Sequence, residues 1–239
     1  MDIPSIEFIF YHIEKCGGTS ARFGLYNYFN NIYDKKQLYE SSITTNGCFE
    51  FNKKNIDLIK NDTLFDFNNI KVILGHTRIY DIPSLFITTP LKITIIRNPI
   101  DRIISHYYSF DKSTYNCEMI DMPSNIFKKY CIAHGRHMCK VLDCIEKNNY
   151  FNVKKLKYII KNFTYILILE YINEDIKHLN KILNNYYKCN YILNIHHLNK
   201  KQIQTSNIKN YELLKEKIKP FCNPDFRLYN MVKKYNNRF

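Results

Sequence analysis

At 239 residues the chain is long enough to bury one sizeable core. Its formal charge of +13 creates a positive field that attracts polyanions: acidic glycans, nucleic acid or an anionic membrane. A lysine-rich composition alone supplies the same charge, so charge by itself selects no partner. No zinc-finger spacing, RNP motif or clean basic helix is present, and nucleic acid is therefore not an expected partner. Met1 to Ser5 carries no basic leader, and the apolar run after it is short. The chain accordingly reads as soluble, without a signal peptide or a membrane span.

The elements follow in chain order. A strand over 6–12, rich in β-branched and aromatic residues, breaks at Glu14-Lys15-Cys16-Gly17-Gly18-Thr19-Ser20, and a helix over 19–30 follows. Strand, glycine turn and helix start form an architecture that binds phosphate or sulfate. Glycine lets the backbone approach closely, and the first helical N–H groups point at the anion. The lysine precedes the glycines, so this is not the Gly-x-x-x-x-Gly-Lys-Ser/Thr loop of nucleotide kinases and ATPases.

The stretch 31–69 is polar and variable, with a candidate helix at 53–60. Lys71-Val-Ile-Leu-Gly75 is a short strand that delivers His76 to its end, and 91–97 is a buried strand that delivers Arg97. Asn98 suits an N-cap, Pro99 the first helical position and Asp101 the first turn, so a helix runs from Pro99 to about Phe110. Ser105 lies about two turns into it. Residues 111–125 read as a loop, and helical patterning returns over 125–148 and 152–161. Phe163 to Leu169 is a strand, and 174–187 an amphipathic helix. A basic loop over 194–207 precedes helices at 208–219 and 224–236. Short apolar strands alternating with helices predict an α/β fold, a P-loop-like parallel sheet flanked by helices on both faces. The expected organisation is a single domain over 1–239, with the core sheet in about 6–170 and a helical, basic-loop part in about 171–239.

Ligands of open α/β sheets bind at the carboxyl edge of the strands. Lys15, His76 and Arg97 should meet there. A guanidinium and a helix hydroxyl, Arg97 and Ser105, can grip one phosphate from two sides. His76 at the same edge is a candidate general base.

These residues carry a family resemblance. His12-Ile-Glu-Lys15-Cys16-Gly17-Gly18-Thr19-Ser20 resembles the 5′-phosphosulfate loop of the sulfotransferases, and Arg97-Asn-Pro-Ile-Asp-Arg-Ile-Ile-Ser105-His-Tyr their 3′-phosphate motif. Gly75-His76 followed by Arg97-Asn98-Pro99 is similar to the carbohydrate branch that contains the heparan and dermatan 2-O-sulfotransferases. The tail, Ile195 to Thr205 and then Asp225 to Tyr229, is a weaker match to that branch's cofactor loop and last helix.

The resemblance implies a sulfotransferase fold, the donor 3′-phosphoadenosine 5′-phosphosulfate, no metal, and an acceptor hydroxyl on an anionic glycan or another molecule. It implies that Lys15 contacts the bridging oxygen, that Cys16, Gly17, Gly18, Thr19 and Ser20 hold the 5′-phosphate, and that Arg97 and Ser105 hold the 3′-phosphate. It further implies His76 as base, with Lys201 and Thr205 closing over the donor. Glu14 stands where many relatives have proline, and strand alternation would turn it away from Lys15. Relatives of that branch are Golgi lumenal and membrane-anchored; with no anchor visible, this chain reads as a soluble enzyme or as a fragment lacking its anchor. Two alternatives stay open: a non-catalytic module that keeps the pocket for a nucleotide or polyanion, and a P-loop-like kinase, which the absent Walker lysine disfavours.

Eight cysteines leave the redox compartment open. Cys131-x-x-His134-x-x-His137-x-Cys139 can be drawn as a zinc site, but its spacing is not a standard one.

Overall fold

The computed structural model describes residues 6–33, 38–40, 71–76, 89–146, 151–195 and 208–237. Five strands, β1 (Phe8–Tyr11), β2 (Leu38–Glu40), β3 (Val72–Gly75), β4 (Leu91–Ile96) and β5 (Tyr165–Ile168), form one sheet in the order β2-β3-β1-β4-β5. Every neighbouring pair is parallel. All four residues of β1 and of β3 are buried, as are the last four of β4. A sheet buried on both faces needs helices on both, which is why its strands read as continuous apolar runs. The one buried polar residue of β4 is satisfied, because Thr94 Oγ1 donates to Tyr11 O at 2.7 Å.

The parallel α/β class expected from the alternation is the observed one. β2 falls inside the stretch read as polar and variable; at three residues it is too short to leave a periodic trace. The helix read at 53–60 lies outside the described residues.

Helix α1 (Gly18–Phe29) packs on β3 and β2. Helix α2 (Pro99–His106) starts as the sequence dictates: Asn98 Oδ1 accepts from the N–H of Ile100 at 3.0 Å and of Asp101 at 3.4 Å, with Pro99 at the first position. It ends earlier than expected. A π-helical turn, Tyr107–Asp111, intervenes before the short helix α3 (Lys112–Tyr115). The segment read as a loop is thus largely helical, a wide turn stitched to a narrow one, which no 3.6-residue period reveals.

Helices α4 (Ser124–His134), α5 (His137–Val141) and α6 (Val153–Asn162) follow, and α7 (Ile172–Tyr187) packs against β5. The chain closes with α8 (Tyr211–Ile218) and α9 (Asn223–Tyr235). The main core lies around the sheet, while Ile100, Ile103 and Tyr107 anchor a second apolar cluster with Phe127, Cys131 and Leu214. That second cluster holds α2, the helix that follows Arg97 and carries Ser105. Among the described residues, no helix is long and apolar enough to cross a membrane.

Candidate anion-binding site

β1 lies at the centre of the sheet, with β3 on one side and β4 on the other. The chain therefore switches sides about β1, and the crevice above its carboxyl end is where a ligand fits. Three predicted site residues emerge along that edge: the loop after Tyr11, His76 after Gly75, and Arg97 after Ile96.

The loop is built to expose backbone N–H groups. Lys15 and Gly17 have φ of 63° and 82°, while Cys16 between them does not have positive φ. Alternating backbone hands turn successive N–H groups toward one side, forming a concavity that suits an anion. Gly17 caps α1 in the left-handed region, without a side-chain cap and with no acidic residue in the first turn. The positive end of the α1 dipole therefore meets no carboxylate in the helix's own first turn. Gly18 is buried against the His12 imidazole, and a Cβ there would overlap the ring at Cδ2 and Nε2.

Two cations converge on this loop. Arg97 Nη1 makes a long contact of 3.4 Å to Lys15 O. Lys15 Nζ lies over the Phe110 ring, 4.8 Å from its centroid. Burial and then the Arg97 charge lower the Lys15 pKa, with Glu14 pulling the other way. Like charges held this close favour an anion between them.

On the other side of β1, His76 stacks on His12 with ring centroids 3.9 Å apart. His12 is 7% exposed, and its Nδ1 is buried without a hydrogen-bond partner. Burial holds the His12 pKa well below the usual histidine range, so the ring is neutral. The pKa of His76 is also lowered by burial, while Glu14 and a bond to the His12 backbone oppose the shift.

The remaining candidates divide. Ser20 is buried and Thr19 exposed. Ser105 is half-buried in the last turn of α2. Cys16 offers no reactive thiol: it is fully buried, its pKa is pushed up to about 12, and its N–H donates to Ile13 O at 3.3 Å. Lys201 and Thr205 lie outside the described residues. Glu14 does not turn away as strand alternation suggests. Its Oε2 lies 3.7 Å from His106 Nε2, so it and Lys15 both approach the segment after α2. The left-handed Lys15 breaks the two-residue period, and the histidine neighbours hold the Glu14 pKa down to about 2.

Sequence reasoning missed two supporting carboxylates. Glu170, just beyond β5, accepts from the Asn98 N–H at 2.8 Å and from Tyr229 Oη at 3.2 Å, which ties down the Arg97 turn. Asp225, fully buried in α9, accepts from the N–H groups of Met138 at 3.1 Å and Cys139 at 2.9 Å and faces Arg102 electrostatically. A lone Asp at the start of a helix carries no signal of such a distant partner. The seven described cysteines are free thiols, and those of the drawn Cys131/Cys139 zinc pattern are buried, with Cys139 Sγ donating to Pro224 O at 3.2 Å.

No family model matches the chain, and comparison with curated proteins finds no match. Among solved structures, the chain is similar to a sulfotransferase from Alicyclobacillus acidocaldarius, at 12% identity and a TM-score of 0.46, over 98% of this chain and 97% of that one. Overlap at that level leaves the functional reading to the site itself.

Proposed function

We propose that the protein is a sulfotransferase that moves a sulfuryl group from 3′-phosphoadenosine 5′-phosphosulfate to an acceptor hydroxyl, with a carbohydrate as the favoured acceptor. The observation that carries this reading is the convergence of Lys15 and Arg97 beside the uncapped start of α1. Such a cradle suits a ligand with two anionic ends. The loop N–H groups and Lys15 take the phosphosulfate, and Arg97 with Ser105 takes the 3′-phosphate.

In this mechanism the acceptor oxygen attacks sulfur in line with the departing phosphate oxygen. As the new S–O bond forms, the S–O bond to the phosphate breaks, and His76 takes the acceptor proton. His76 is suited to this by its place at the sheet edge and by a depressed pKa that keeps it unprotonated at neutral pH. Lys15 and the loop N–H groups stabilise the charge that gathers on the leaving adenosine 3′,5′-bisphosphate. The second reading, a silent nucleotide-binding module, has no use for His76 beside the loop.

The test is transfer of radiolabelled sulfate across a panel of glycan, phenol and alcohol acceptors, with calorimetry of adenosine 3′,5′-bisphosphate alongside. Loss of a charge-assisted contact in Arg97→Ala should weaken nucleotide binding about 10- to 100-fold. Equal affinity in the variant would remove Arg97 from the site, and nucleotide binding without any transfer would favour the silent module.

A further inference from the structure

A group of metal-ligating side chains lies on the far side of His106 from the anion loop. The π-helical turn creates it. In an α-helix, positions five apart point about 140° away from each other. The Lys112 N–H bonds back to Tyr107 O across the wider turn, and His106 and Asp111 come to the same side. His106 Nδ1 is 2.9 Å from Asp111 Oδ2. His134, at the end of α4, adds its ring, with a centroid 4.3 Å from that of His106. One ligand atom from each of the three lies within 4.8 Å of the others.

We propose that His106, Asp111 and His134 form a binding site for one divalent transition-metal ion, tying the π-helical turn to the end of α4. Two imidazoles and one carboxylate favour zinc and its first-row neighbours over magnesium or calcium, which want oxygen ligands alone. Three protein ligands leave a fourth position for water.

The surroundings match this chemistry. Glu14 Oε2, 3.7 Å from His106 Nε2, is placed to orient the ring from behind and raise its basicity. Tyr130 Oη donates to Asp111 Oδ2 at 2.8 Å and lies 3.0 Å from His106 Nδ1, holding both side chains in place. Arg102 donates to the His134 carbonyl and fixes the end of α4. Glu14 and Asp111 bring two negative charges to the neighbourhood of the ion. The arrangement shares only His134 with the Cys131-to-Cys139 sequence pattern. Its role is to brace the segment that carries Phe110 against the Lys15 loop.

The test uses chelator-stripped full-length protein without nucleotide, so its outcome is separate from that of the sulfotransferase reading. Zinc chloride should bind with one equivalent on this site and raise the melting temperature, while magnesium chloride should not. Cobalt(II) should give visible d–d bands without the sulfur charge-transfer bands that a cysteine site would add. Asp111→Asn and His134→Gln, each shown folded by circular dichroism, should weaken zinc binding at least tenfold. No tight equivalent of zinc in the wild type, thiolate bands with cobalt, or unchanged affinity in both variants would overturn the assignment. The cobalt spectrum of the wild type decides even if the variants fail to fold.

Discussion

Gly18 and His12 occupy each other's space. The buried imidazole fills the volume where a Cβ would project, so the loop backbone can approach β1 only at glycine. Gly18→Ala should push the ring aside, destabilise the protein by about 1–3 kcal/mol as overpacking does, and spread the loop. Thermal melting together with adenosine 3′,5′-bisphosphate titration checks this; a variant equal to wild type in both would show that the ring moves freely. His76 acts at the same scale. His76→Ala should lower turnover by about a hundredfold or more while nucleotide affinity persists. Because burial depresses its pKa below 6.5, the acid limb of kcat/KM should lie under that value. A limb at or above 6.5 would show that burial does not set the His76 pKa, and full activity of the alanine variant would exclude His76 as the base.

Asp225 is a joint between elements. It caps the start of α5 from α9 and answers the buried Arg102 of α2. Burial raises its pKa from 3.8 to about 6, against the pull of Arg102 and the backbone N–H groups. The folded state thus keeps a proton that the unfolded chain releases near 3.8. The stability this group contributes is complete below that value and is lost as pH rises through 6, with a slope of up to about 1.4 kcal/mol per pH unit. Asp225→Asn cannot ionise, so its stability should lack that slope. Denaturant unfolding of both proteins from pH 4 to pH 7 would expose the difference, and parallel curves would show that Asp225 titrates normally. Elements also differ in how openly the sequence declares them. Helix α2 announces its start through Asn98-Pro99 and an acidic first turn, all local chemistry. Its end depends on a π-helical turn that no period marks, so the helix read through to Phe110 stops as an α-helix at His106.

At the scale of the molecule, the net charge of +13 should assist capture of a doubly anionic nucleotide. Adenosine 3′,5′-bisphosphate at a hundredfold excess over Kd should stabilise the fold by about 2.7 kcal/mol. Raising ionic strength should shrink the shift at fixed nucleotide concentration, because salt screens the field that draws the ligand in. Adenosine, which lacks both phosphates, should give no shift. An equal response to adenosine would mean that the pocket reads the base alone.

The parallel sheet, the glycine turn after β1 and the N-cap of α2 were legible in the chain, because each follows from side chains within a few positions of one another. Hydrophobic period, φ preference and capping are local physics. Lys15, His76 and Arg97 could be assigned to one edge for the same reason: each follows a strand, and parallel strands end together. Tertiary structure alone decided that Arg97 reaches the Lys15 carbonyl, that Glu14 turns to His106, and that Asp225 and Glu170 brace the helix and turn around the site. Those contacts span from 72 to 92 positions of chain. They exist because packing β1 between β3 and β4 brings distant charges into a low-dielectric space where they find partners.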